Sequence, residues 1–244
     1  MATKQTKVAL VTGANKGIGF ETSRQLGKKG FHVLVGARDE ARGRSAVDRL
    51  RGEGFAAEFV KLDVTSDADR RAVAGYVAET FGKLDVLVNN AAIAIDANAK
   101  SSDVSADVLH RTFDANFFAV VALTQQLLPL IRKSDAGRIV HLSSGLASLT
   151  LHSDPSWSFY NFKPLAYDAS KTALNAFTVH LAHELKDTPI KVNSADPGWV
   201  KTDMGTDAAE LEVEVGAQTG VALATLGADG PTGGFFHRGE RHPW

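Results

Sequence analysis

The sequence has no cysteine, which excludes disulfides, thiolate metal sites and a cysteine nucleophile and fits a reducing compartment. It has no excess of either charge. Lys and Arg number 27 against 28 Asp and Glu, a formal net charge of -1, so there is no electrostatic case for nucleic acid or an anionic membrane as a partner. Small solutes remain. No apolar run approaches the ~18 residues of a membrane span, and no internal repeat or low-complexity tract is evident. Met1-Ala2-Thr3-Lys4-Gln5-Thr6-Lys7 leads directly into a strand-like run, without a signal-peptide layout, so the expected protein is soluble and cytoplasmic. Tyrosine is scarce too, at Tyr76, Tyr160 and Tyr167 alone.

What is present is enough for one large core: 244 residues, 44% hydrophobic and 23% charged. Short runs rich in Val, Leu, Ile and Phe alternate with longer helical segments. That rhythm predicts a single α/β domain over 1–244, a Rossmann-type doubly wound parallel sheet with helices on both faces. The expected strands are Val8 to Thr12, His32 to Gly36, Ala57 to Leu62, Asp85 to Asn89, Arg138 to Leu142, Ile190 to Ala195 and Gly234 to His237. Helices are expected near 18–29, 40–52, 67–81, 106–133, 168–186 and 209–227. Leu174, Phe177, Leu181 and Leu185 form an apolar stripe at helical spacing, which is core packing. Two stretches break the rhythm after strand ends, where such sheets place their ligand crevice: 145–166 and 198–216, expected to shape a substrate pocket.

The run Val8 to Gly19 reads as strand, glycine-rich turn and helix. Its glycines, Gly13, Gly17 and Gly19, let backbone approach a pyrophosphate, and the helix start offers free N–H groups and a positive dipole end. The spacing is Gly-x-x-x-Gly-x-Gly, and three glycines alone would also suit a ligand-free tight connection. Further along, Tyr167 and Lys171 stand four apart at the start of a helical stretch, so they share a face. An ammonium there favours the ionised phenol and makes it a usable proton donor and acceptor. The pair arises by chance often enough that its surroundings must carry the inference.

Those surroundings resemble the short-chain dehydrogenase/reductase family. The resemblance rests on the glycine loop, Asn89-Asn90-Ala91-Ala92, Asn116, Ser143-Ser144, Tyr167-x-x-x-Lys171 and Pro197-Gly198, in that order. It runs from about residue 6 to the C-terminus. Within the family, Asn15-Lys16-Gly17-Ile18-Gly19-Phe20-Glu21, Ala37-Arg38-Asp39 and Pro197-Gly198-Trp199-Val200-Lys201-Thr202-Asp203-Met204 look most like NADPH-dependent carbonyl reductases. Ala92 departs from the family's usual glycine.

The resemblance implies NADP(H) held by Gly13, Asn15, Lys16, Gly17, Ile18, Gly19, Arg38, Arg42, Asp63, Val64, Asn90, Ala91, Pro197, Gly198, Val200 and Thr202, together with Tyr167 and Lys171. Counting about 20 residues past the glycines nominates Asp39 as the ribose acid of an NAD enzyme. Aligning the second strand's end with the family instead puts Ala37 there and Arg38 next to it. Arginine suits a 2'-phosphate, although Arg38 and Arg42 also read as solvated charges beside Asp39 and Glu40. Asp63 resembles the family's adenine contact and equally suits a helix cap.

The implied chemistry is reduction of a ketone or aldehyde. Tyr167 protonates the alkoxide, Ser144 holds the carbonyl oxygen, Lys171 lowers the phenol pKa and binds the ribose, and Asn116 anchors a water leading to solvent. The same residues serve an alcohol, sugar or steroid dehydrogenase running oxidatively, and a dinucleotide-sensing module without chemistry is the reading from another class. Ser144 precedes Tyr167 by 23 residues, more than the family's commonest spacing. The extra segment, Leu149 to Leu165, holds Trp157, Phe159, Tyr160 and Phe162. With Trp199 these provide an apolar wall for a bulky or aryl carbonyl substrate, or a local core plug or subunit contact. His180 and His183, with no third ligand, read as a solvated helix face, and no metal is expected. Glu210, Glu212 and Glu214 alternate with Leu211, Val213 and Val215, a strand-like pattern where the resemblance puts a helix, expected as the base of a substrate lid.

Overall fold

A computed structural model describes residues 6–97 and 99–244. The elements are β1 (Val8–Thr12), α1 (Gly17–Lys28), β2 (His32–Ala37), α2 (Glu40–Gly52), β3 (Ala57–Lys61), α3 (Asp67–Thr80), β4 (Val86–Asn89), α4 (Ala106–Phe113), α5 (Ala119–Ile131), β5 (Arg138–Leu142), α6 (Leu149–His152), α7 (Leu165–Glu184), β6 (Lys191–Ala195), α8 (Val213–Ala224), β7 (Phe235–His237) and β8 (Glu240–Arg241). They build one sheet in the order β3-β2-β1-β4-β5-β6-β7-β8. All pairings are parallel except β7 with β8. The order reverses between β1 and β4, which opens a crevice beyond their carboxyl ends.

Each strand residue alternates between two cores. Ala9 and Val11 of β1 pack with Phe20 and Leu26 of α1, Val47 and Leu50 of α2, and Val221 of α8. Val8 and Leu10 point the other way, to Val73 and Val77 of α3, Leu123, Leu127 and Ile131 of α5, and Leu181 of α7. Burial of each such side chain contributes roughly 1.5–3 kcal/mol. Apolar residues on both faces are what a sheet covered on both sides requires, and they made the strands readable.

The seven expected strands form. The eighth, Glu240–Arg241, turns back on β7 through Gly239 at φ +89° and is too short and exposed to leave a sequence pattern. The expected helix over 106–133 ends at Ile131 and contains a wider turn, Asp114–Phe118, between α4 and α5. Ala106–Ile131 is long and apolar enough to cross a membrane by length and composition alone. Its apolar window is half buried, which fits a core helix. The stretch 145–166 is partly helical, with one tight turn at Gly145–Ala147 and then α6. The alternating segment before α8 is extended: Leu211 bridges Val200, and the helix starts only at Val213.

Candidate active site

At the crevice, β1 ends at Thr12 and the chain turns through Gly13 to Lys16 into α1. Gly13 at φ +63° and Gly17 at φ +53° occupy the left-handed region that a side chain disfavours. A Cβ on Gly19 would meet the Asn90 amide nitrogen and the Gly13 carbonyl oxygen, both at 2.5 Å. Lys16, before the helix, supplies no side-chain cap, so the N–H groups of the first turn remain available to an anion. Across the crevice, the Thr12 hydroxyl accepts hydrogen bonds from the N–H groups of Asn90 and Ala91, each 2.9 Å. Asn90 donates its amide to the Thr12 carbonyl at 2.8 Å. These bonds tie β4 to the loop and keep its floor flat. The cradle fits a pyrophosphate in shape and in donors.

The residues expected beside the adenosine end lie at the tips of β2 and β3. Ala37 is buried, and Arg38 points outward. Arg42 lies 3.7 Å from Asp39, whose carboxylate caps α2 by accepting from the Arg42 N–H at 2.9 Å, and Lys16 pairs with Asp203. Burial pushes the Asp63 carboxyl up, but the Thr65 hydroxyl and N–H, with Arg38 and Lys61 nearby, hold it below its ordinary value. Asp63 makes its bonds to Thr65, so the local turn uses the acid.

Ser144, Tyr167 and Lys171 come together where β5 ends against the start of α7. Ser144 leads into the Gly145–Ala147 turn and accepts from the Leu146 N–H at 3.2 Å, so it does serve as a cap. Its hydroxyl lies beside the Tyr167 phenol. Burial pushes that phenol well above its ordinary value. Ser144 pulls it back, while Asp196 and Asp168 add to the rise. Lys171 lies near the same ring. Its side chain is 3% exposed and donates to the Leu142 carbonyl at 2.7 Å, with Nζ 5.7 Å from the Tyr167 ring centre. Burial drops the lysine to about 7.

Asn116 lies in the wide turn between α4 and α5, fully buried. Such a turn re-aims a side chain inside a helix. The Asn116 amide donates to the Ile93 carbonyl at 2.8 Å and to the Ser170 hydroxyl at 3.1 Å, and its oxygen accepts from the Ile93 N–H at 2.8 Å. Its side chain is thus engaged in locking the segment after β4 to α7. On the substrate side, Trp157 and Phe159 meet edge to face at 5.5 Å, and Phe159 meets Trp199 at 5.8 Å. Tyr160 stands apart from these rings, under the Lys163 ammonium at 4.5 Å. Trp199 is steadied by its indole N–H on the Gly205 carbonyl at 2.8 Å.

Several residues at this site went unread in the sequence. Ser170, one before Lys171, accepts from Asn116 and donates to the Tyr167 carbonyl at 2.7 Å; its place inside the Tyr-x-x-x-Lys run was a usable signal. Thr12, at the strand end, had only its position. Asp96, Asp168 and His152 had none, because their partners lie in other segments of the chain.

The short chain dehydrogenase profile matches residues 7–212. The chain belongs to that family. It is similar to carbonyl reductase (NADPH) 3 of Rattus norvegicus, 37% identical, with 92% of each chain covered. Among solved structures, this family member superposes on the NADPH-bound carbonyl reductase from chicken fatty liver with a TM-score of 0.86 at 26% identity, covering 100% of this chain and 96% of that one. It matches salutaridine reductase from Papaver somniferum with a TM-score of 0.82 at 30% identity, covering 95% and 99%. The fold expected from the alternating pattern is therefore the family's.

Proposed function

We propose that this short-chain dehydrogenase reduces a ketone or aldehyde to the alcohol with NADPH, with Tyr167 as the proton donor. One observation carries the reading: Ser144, Tyr167 and Lys171 converge at the end of β5, in the same crevice as an uncapped glycine cradle. The NADPH named for the carbonyl reductases it resembles supports the cofactor. Gly13, Asn15, Gly17, Ile18 and Gly19 would hold the pyrophosphate, Lys16, Arg38 and Arg42 the 2'-phosphate, and Asp63 and Val64 the adenine end. Asn90, Ala91, Pro197, Gly198, Val200 and Thr202 would line the rest. When bound, NADPH supplies a hydride.

The chain's own residues supply the rest of the reaction. Ser144 donates to the carbonyl oxygen, a bond that strengthens as negative charge builds there. Tyr167, kept protonated by burial, passes its proton to that oxygen. Lys171, at about 7, exchanges a proton in the neutral range, and its charged form favours the ionised phenol left after that transfer. Trp157, Phe159 and Trp199 form an apolar wall, and 145–166 and 198–216 shape the pocket for bulky or aryl carbonyls.

The test is Tyr167→Phe, assayed for NADPH oxidation with an aryl ketone and for NADPH binding by fluorescence titration. Turnover should disappear while binding stays nearly intact, because only the transferable proton is removed. Retention of about a tenth of wild-type kcat would reject the donor role.

A further inference from the structure

Asp196, the residue after β6, is 5% exposed, and its carboxylate reaches both of the segments that shape the pocket. Oδ1 accepts from the Gly198 N–H at 2.9 Å and so fixes the turn that presents Trp199, with Gly198 at φ +78°. Oδ2 lies against the other segment. A Cβ on Gly145, the residue after Ser144, would stand 3.2 Å from it and 3.4 Å from Trp157 Cζ2. The remaining neighbours come from the β7–β8 hairpin and the residues just beyond it. His237 Nδ1 lies 3.1 Å from the Asp196 carbonyl oxygen and 3.4 Å from Oδ2, and His242 Nδ1 lies 3.8 Å from Oδ2. Among the described residues these two imidazoles are the only side chains paired with the carboxylate.

The hairpin is itself anchored on three sides. The Asp196 N–H donates to the Phe236 carbonyl at 2.8 Å, the Arg238 N–H to the Thr219 hydroxyl on α8 at 2.9 Å, and the Thr150 N–H of α6 to the Trp244 carbonyl at 3.1 Å. His242 rests edge to face on the buried Phe235 ring at 5.2 Å, and Trp244 stacks on the same ring at 5.8 Å. The His237 ring packs beneath the turn, where a Cβ on Gly198 would meet its Cε1 at 3.0 Å.

We propose that His237, through a hydrogen bond from Nδ1 to Asp196, positions the Gly198–Trp199 turn against the Gly145 and Trp157 side of the pocket, which makes it a positioning residue for substrate choice. The inference rests on the reading of Trp157 and Trp199 as the substrate wall given above. Chemistry sets the direction of the bond. A carbonyl oxygen and a carboxylate only accept, so the hydrogen of a neutral His237 stands on Nδ1, facing both. Through that one N–H the imidazole holds the carbonyl that precedes Pro197 and the carboxylate that receives Gly198. A buried carboxylate with no lysine or arginine beside it keeps its place only while donors meet its oxygens. Without the His237 donor, Oδ2 is left to the more distant His242, and the carboxylate turns away from Gly198. The contact of Trp199 with Phe159 at 5.8 Å depends on that anchor.

Two substitutions separate the bond from the packing. His237→Asn keeps a donor nitrogen close to the place of Nδ1 and gives up the ring, whereas His237→Phe keeps the ring and gives up the donor. The kinetic readout is the ratio of kcat/KM for an aryl ketone to that for a short-chain ketone. His237→Phe should lower it about tenfold, the usual worth of one apolar contact, and His237→Asn should leave it near the wild-type value. Asp196→Ala should lower the ratio as far as His237→Phe does, and the double variant no further, because both cut one link. An unchanged ratio in His237→Phe, which would make the ring a packing element, or an equal loss in His237→Asn overturns the proposal.

Two further readouts need no turnover. Trp157, Trp199 and Trp244 are the three tryptophans of the chain, so Trp157→Phe with Trp244→Phe leaves Trp199 as the single emitter. Acrylamide quenching of Trp199 should rise when His237→Phe is added and stay constant when His237→Asn is added; equal quenching in the two also overturns the proposal. In nitrogen-15 spectra of the wild type at about pH 8, where an ordinary imidazole is neutral, His237 should carry its hydrogen on Nδ1. A hydrogen on Nε2 alone overturns the proposal even if no variant folds. A Tyr167→Phe enzyme that retains turnover would sink the proposed function while leaving the tautomer and the quenching as expected, so the two failures are distinguishable.

Discussion

Replacing Lys171 by methionine should make the cofactor-free protein more stable at neutral pH while abolishing turnover. The ammonium is buried, with a hydrogen bond to the Leu142 carbonyl, and burial takes its value from 10.5 to about 7. A base depressed in the folded state contributes stability in full above its unfolded value and loses it as pH falls through the folded one. The window therefore runs from 10.5 down to about 7. Across it, ionisation costs the fold about 4 kcal/mol at about pH 7 and about 1 kcal/mol at about pH 10. Methionine removes that cost but strands the Leu142 carbonyl, at about 1–3 kcal/mol. The variant should thus be about 1–3 kcal/mol more stable near pH 7, and no more stable than wild type near pH 10. Urea unfolding followed by circular dichroism at the two pH values measures both. Equal effects at the two pH values, or destabilisation near pH 7, would refute the reasoning.

Three further outcomes are expected. Gly19→Ala places a Cβ 2.5 Å from Asn90 Nδ2 and the Gly13 carbonyl oxygen; overpacking of this kind should weaken NADPH binding about tenfold or more, and unchanged affinity in a fluorescence titration would remove the pyrophosphate from this loop. Ala37→Asp with Arg38→Leu should turn the kcat/KM preference from NADPH toward NADH, and a wild type that already favours NADH would contradict the 2'-phosphate assignment. Trp157→Ala and Phe159→Ala should each change the aryl to short-chain ketone ratio of kcat/KM with the NADPH KM steady; a change of mass in light scattering without a change in that ratio would make the rings a subunit contact.

The strands were legible because a sheet covered on both faces favours apolar side chains on both, and Val8 to Val11 or Ile139, Val140 and Leu142 supply them without help from distant residues. Gly13, Gly17 and Gly19 were legible because positive φ and close backbone approach leave no other residue type comfortable. Helix spacing alone put Tyr167 and Lys171 on one face. It did not say where the lysine's charge goes. That depends on the Leu142 carbonyl from β5 and on how completely the sheet and helices exclude water, a sum over many residues. The wide turn at Asn116 escaped the periodic pattern, since one extra residue in a helix changes a hydrogen bond and not the composition.

Local sequence therefore determined the elements, the glycine cradle and the Tyr167 and Lys171 pair, because those follow from short-range sterics and from periodicity. Only the tertiary structure decided that Trp157, Phe159 and Trp199 touch while Tyr160 stands aside, and that Asp96 caps a helix 70 residues away. It also decided that burial sets the Tyr167 and Lys171 protons in opposite directions. The physical reason is common to all three: contacts and desolvation between distant segments exist only once the chain has closed around them.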